Sequence, residues 1–154
     1  MRQQYESGED RANQQEIADL IGKATSSTPR LVPAHYAEYC DYAFERSGEI
    51  VCFCEVKRRK MRWGQYPDVM LSVHKWMKGL EIARSTAVPW MFAVGVNGAN
   101  GIEVYGLRVD PEAAMTSVWD NAVRFGGRTV QTRDNGDIEP VVHLPCREFS
   151  RIGK

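Results

Sequence analysis

Three residues in one short region have side chains suited to chemistry. In IVCFCEVK (50–57), side chains alternate across an extended strand, so Val51, Phe53, Glu55 and Lys57 share one face while Cys52, Cys54 and Val56 share the other. A carboxylate and an ammonium therefore stand side by side in an otherwise apolar strand. Upstream, in YCDYAF (39–44), Asp41 lies on the strand that the RSGE turn (46–49) would fold back against this one. A hairpin turning at 47–48 sets Asp41 opposite roughly residue 54, one step from Glu55, and a β-bulge would shift that register. Carboxylate oxygens hold hard divalent cations, and an ammonium beside them steadies anionic charge. The same three residues also suit a structural ion pair near the end of an edge strand.

Such a cluster needs elements to position it. From Asp10 to Ala24, Ile17, Ala18, Leu20, Ile21 and Ala24 recur at helical spacing, with Asp10 as the cap. TSSTPR (25–30) reads as a loop, and residues 31–57 as two or three strands that include the hairpin. From Tyr66 to Thr86 the residues Val69, Val73, Trp76, Met77, Leu80 and Ala83 trace a second helical stripe, with Trp76 and Met77 inward. VPWMFAVGV and GIEVYGL read as strands joined by a turn at NGANG (97–101). Pro111 opens a third helix expected to run to about Phe125, with Met115, Val118, Trp119 and Ala122 inward. The remainder, including EPVVHLP, is strand and loop, and TRDNGD (132–137) is a surface turn.

Asp41, followed at 14 positions by Glu55-Val56-Lys57, resembles the motif of the PD-(D/E)xK nuclease superfamily, in which an Asp on one strand and a Glu-x-Lys on the next form the site. The order of elements is similar to that family's αβββαβ core, a mixed sheet flanked by helices. The resemblance covers about residues 10–107, with 108–154 as a C-terminal helix and strand extension within a single domain of 1–154. It implies a metal-dependent nuclease acting on DNA, branched or single-stranded, cutting internally or from an end, of the restriction-endonuclease or Holliday-junction-resolvase kind. Asp41, Glu55 and the main-chain carbonyl of Val56 would hold Mg²⁺ or Mn²⁺, and Lys57 would assist the attacking water. Many relatives add a Glu from the first helix, for which Glu16 is the candidate and Asp19 the runner-up. Small enzymes of this type often serve phages or mobile elements and are commonly homodimers. Cys40 precedes Asp41 where the family label has Pro, and the Gln-x-x-x-Tyr of the RecB-like branch is absent because Gln65 and Tyr66 are adjacent.

Charge distribution points the same way. Net charge is zero over 154 residues, yet residues 1–56 carry −5, 57–84 carry +6 and 85–154 carry −1. The basic block includes Arg58, Arg59, Lys60 and Arg62 at the exit of the motif strand, and Lys75 and Lys78 on the second helix; all six are candidate phosphate contacts. Trp63 and Tyr66 are candidates for stacking on an unpaired base.

Several other classes are disfavoured. The longest apolar run, AVPWMFAVGV (87–96), is too short to span a bilayer and contains Pro89, so the expected setting is cytoplasmic. Cys40, Cys52, Cys54 and Cys146 read as buried free thiols. His35, His74 and His143 have no partner at metal spacing and read as structural. GVNGANG lacks the following helix that a phosphate-cradling loop requires. Two rivals keep the same fold: a non-catalytic nucleic-acid-binding or assembly protein, and an RNA-directed nuclease.

Overall fold

A computed structural model describes residues 8–116, 123–126 and 138–153. The elements run α1 (Gly8–Thr25), β1 (Thr28–Leu31), β2 (Tyr42–Arg46), β3 (Glu49–Arg58), β4 (Asp68–Ser72), α2 (Val73–Thr86), β5 (Trp90–Gly98), β6 (Gly101–Val109), α3 (Pro111–Thr116), β7 (Val123–Gly126), β8 (Glu139–Pro145) and β9 (Ser150–Ile152). Six strands form a mixed sheet in the order β1-β2-β3-β5-β6-β9, and β4-β8-β7 form a smaller antiparallel sheet. Within the larger sheet only β3 and β5 are parallel, as expected for strands joined by a helical crossover. The expected αβββαβ core is present as α1-β1-β2-β3-α2-β5.

Each face of the larger sheet is covered by different elements. On one, Ile17, Ala18 and Ile21 of α1 pack on Tyr42, Phe44, Cys54, Val56, Met91, Ala93 and Val104. On the other, Trp76, Leu80 and Ala83 of α2, with Val69, Leu71, Val142 and Leu144 of the smaller sheet, pack on Phe53, Phe92, Val94 and Val96. Full burial of such a side chain contributes about 1.5–3 kcal/mol, so these two layers fix which way β3 faces. The α2 approach is close: a Cβ on Gly79 would lie 2.3 Å from the Trp90 ring, so only glycine fits.

The β2–β3 hairpin turns at Ser47 and Gly48, both with positive φ (53° and 81°), the pairing that matches the twist of two antiparallel strands. The β5–β6 hairpin turns where NGANG predicts.

Other expectations need correction. The segment expected to open the second helix is strand β4, because Val69 and Leu71 alternate inward and pair with Leu144 and Val142, far along the chain. The helix starts only at Val73, after Ser72 caps it by accepting from the Lys75 N–H. Met77 is 60% exposed, because the buried stripe of α2 runs through Trp76, Gly79, Leu80 and Ala83. Asp10 lies inside α1, and Leu20 and Ala24 face solvent because Ile17, Ala18, Ile21 and Gly22 form the inward stripe. The loop at TSSTPR gives way at Thr28 to β1, which pairs with β2. Phe125 lies in β7 and not in a helix, because residues 123–126 pair with β8; Val118, Trp119, Ala122 and the TRDNGD turn lie outside the described residues. The C-terminal extension is divided: β9 joins the larger sheet, while β7 and β8 build the smaller one. All four cysteines are free thiols; Cys40 and Cys54 are buried, and Cys52 and Cys146 only partly so. No helix among the described residues is long and apolar enough to cross a membrane.

Candidate active site

Glu55 is the one charged residue among the described positions that is wholly buried, at 0% exposure. Strand alternation puts it between Phe53 and Lys57 on the face that α2 covers, opposite Phe92 of β5. Neither carboxylate oxygen accepts a hydrogen bond. Two ammonium groups flank them instead: Lys57 Nζ lies 3.4 Å from Oε1 and Lys75 Nζ lies 3.5 Å from Oε2. A carboxylate taken out of water is costly unless paired, and here the pairing comes from cations at arm's length.

Asp41 reaches this row of side chains through a bulge. Near the turn, Glu45 pairs with Ile50 and Arg46 with Glu49; between Phe44 and Glu45 the register shifts, and beyond it Tyr42 pairs with Cys54 and Ala43 with Phe53. One residue further, Asp41 falls level with Glu55. The ladder continues into it, since the Asp41 N–H donates to the Cys54 carbonyl (3.0 Å). Its side chain then accepts the Val56 N–H at Oδ2 (2.9 Å). Burial and the neighbouring Glu55 charge push the Asp41 carboxyl up to about 6, against the opposing pull of the Val56 N–H, Lys57 and Lys75. Two acids drawn from adjacent strands are thus held close, with their negative charge only partly compensated.

Lys75 belongs to this cluster. Its ammonium also donates to the Ala37 carbonyl (2.9 Å), fastening the loop that carries Asp41. The sequence holds a signal for this: Ser72 as a cap sets Lys75 in the first turn of α2, next to the inward Trp76. Only the docking of that turn on β3 shows what Lys75 meets.

The remaining expected residues divide. Glu16 and Asp19 lie on the exposed side of α1, beside Gln15, Leu20 and Lys23, and do not join Asp41 and Glu55. The inward side of α1 covers the Cys54–Val56 face, whereas Glu55 points to the α2 face. Arg58 is held by the protein itself, its guanidinium donating to the carbonyls of Gly95 (3.2 Å) and Arg59 and to Asn97 Oδ1. Lys78 pairs with Glu81 (3.3 Å) and Glu38 (3.8 Å) and lies over the Tyr39 ring. Arg59 is partly buried, donates to the Met70 carbonyl (3.4 Å) and has its pKa lowered by burial, with Glu55 opposing. Lys60 and Arg62 are exposed. Trp63 has one face on Tyr105, parallel at 4.1 Å, and lies edge-on to Phe149. Tyr66 is 56% exposed. His143 sits 3.9 Å from Asp68, and His35 lies against Tyr36.

The chemistry of the donor set fits a hard divalent cation. Glu55 offers two buried oxygens without hydrogen bonds, and Asp41 is fixed through Oδ2 with its charge raised in energy. No group of three or more His, Cys, Asp or Glu able to hold a metal occurs among the described residues, so among them Asp41 and Glu55 are the acidic donors at this position. Main-chain carbonyl and water oxygens would complete the coordination.

A protein-family model described as "Phage putative PDDEXK endonuclease" matches residues 1–152 of the chain. No curated protein matches it.

Proposed function

The chain belongs to this phage PDDEXK endonuclease family, and from that premise we propose that it is a divalent-metal-dependent endonuclease that hydrolyses phosphodiester bonds in DNA. Asp41 and Glu55 would hold the cation through their carboxylates, and the Val56 carbonyl would offer a third oxygen. A Mg²⁺ or Mn²⁺ ion held there would offset negative charge building on the phosphoryl oxygens and would make water easier to deprotonate. The side chains do the rest. The Val56 N–H orients Asp41 by donating to Oδ2, which leaves Oδ1 free of that bond. Lys57, a third exposed and 3.4 Å from Glu55, stands at the mouth of the site, where its ammonium steadies charge on the phosphate and on the attacking oxygen. Lys75 holds Glu55 from the α2 side and the Asp41 loop with the same ammonium. Lys60 and Arg62, exposed beyond β3, contact the DNA backbone and position it without reading sequence.

The observation that carries this reading is the bulged register that sets Asp41 level with a buried Glu55 whose oxygens accept no hydrogen bond. A structural ion pair would have no need of a second acid beside it whose charge is only partly compensated. The test incubates supercoiled plasmid, single-stranded DNA and RNA with the wild type and Glu55→Gln, in Mn²⁺ and in EDTA. Cleavage of DNA only by the wild type and only with Mn²⁺ is expected. Cleavage in EDTA, cleavage by Glu55→Gln at the wild-type rate, or binding without cleavage would refute it.

A further inference from the structure

The connection between β1 and β2 does more than deliver Asp41. It is fixed at its base by the Val32 N–H donating to the Asp41 carbonyl (3.0 Å). In its middle, a tight turn is closed by Tyr36 N–H to Pro33 (2.9 Å), Ala37 N–H to Ala34 (3.2 Å) and Tyr39 N–H to Tyr36 (3.0 Å). Lys75 grips the Ala37 carbonyl, and Tyr39 is held under Lys78 with its hydroxyl reaching Glu81. On this rigid loop Tyr36 is 49% exposed, its ring tilted 46° against His35 at a centroid distance of 4.5 Å. Among the described residues its hydroxyl makes no hydrogen bond that would explain a tyrosine there. Its neighbour Ala37 is two contacts, of 2.9 and 3.5 Å through Lys75, from the Glu55 carboxylate.

We propose that Tyr36, backed by His35, is the platform on which an unpaired nucleobase next to the cleaved phosphate stacks, so that the preferred substrate has single-stranded character at the cut. This rests on the nuclease reading above. The loop VPAHYAEYCD (32–41) contains no Lys or Arg, and its Glu38 is half exposed, so it suits the neutral face of a base and not a phosphate. A base within a duplex already has neighbours on both faces, whereas an unpaired one has a face to offer. A ring held in place beforehand loses little freedom when it is covered. Trp63, with one face already on Tyr105, leaves this role open.

The test uses the full-length chain. In EDTA, fluorescence anisotropy gives Kd for a labelled single strand and for the matching duplex, with wild type, Tyr36→Ala and Tyr36→Phe. Tyr36→Ala should weaken single-strand binding by about 5- to 150-fold, the span of base–aromatic stacking, and leave duplex binding within about twofold. Tyr36→Phe should bind as the wild type does, because the ring and not the hydroxyl makes the contact. Equal loss on both substrates, no loss on the single strand, loss in Tyr36→Phe, or a drop in sedimenting mass for Tyr36→Ala would overturn the proposal, the last by assigning the ring to a protein contact. Cleavage in Mn²⁺, run in parallel, separates the two claims. A wild type that cuts while Tyr36→Ala binds and cuts the single strand unchanged sinks only the stacking platform. A wild type that cuts no substrate sinks the nuclease reading and, with it, this proposal.

Discussion

Replacing Asp41 by Asn isolates the electrostatic cost of burying this acid beside a second one. The Asp41 carboxyl sits at about 6 where 3.8 is ordinary, because burial and Glu55 outweigh the Val56 N–H and the two lysines. Asparagine keeps an acceptor for the Val56 N–H and removes the charge. An acid whose pKa is higher folded than unfolded holds more protons in the folded chain between the two values. Stability therefore falls as pH rises from about 4 to about 6 and is flat above. At about 1.4 kcal/mol per pH unit, the charged form destabilises the metal-free fold near neutral pH by about 3 kcal/mol. Asp41→Asn should accordingly be more stable than the wild type in EDTA near neutral pH, by up to about 3 kcal/mol, with the gap gone below about pH 4. Urea unfolding at the two pH values measures this. Mn²⁺ should close most of that gap, adding about 2.7 kcal/mol to the wild type at a hundred times Kd and little to the variant. A variant less stable than the wild type in EDTA by the same margin at both pH values would refute the reasoning, since Asp41 would then be held by contacts and not strained by charge.

Further predictions concern the flanking residues. Lys57→Ala should lower single-turnover cleavage by about 10²-fold or more while DNA affinity changes only a few-fold, because one charge-stabilising donor is lost; an equal fall in affinity would make Lys57 a binding residue only. Glu16→Gln should cut at the wild-type rate, since Glu16 lies on the exposed side of α1; a tenfold drop would return it to the site. Gly79→Ala should destabilise the fold by up to about 2 kcal/mol, because an overpacking cost of about 1–3 kcal/mol on the buried Trp90 ring is only partly offset by roughly 1 kcal/mol gained in helix propensity. A thermal midpoint at or above that of the wild type would contradict the close α2 approach.

Sequence alone was sufficient for the chemistry of β3. Alternation fixes that Glu55 and Lys57 share a face. The hairpin was equally readable, because Ser47-Gly48 can take the positive φ its turn needs. Those are local rules, decided within a few residues. Three matters depended on contacts between distant segments. The bulge that advances Asp41 by one position arises inside a paired ladder and leaves no mark in the composition of either strand. The stretch before α2 has apolar residues that suit a helix or a strand, and pairing with β8, about 70 positions later, made it a strand. Lys75 came to lie beside Glu55, and Glu16 stayed on the exposed side of α1, because helices expose every direction around their axis and only packing selects one. The side chains that can hold a cation follow from residue type, but which of them meet follows from which face of the sheet each helix covers.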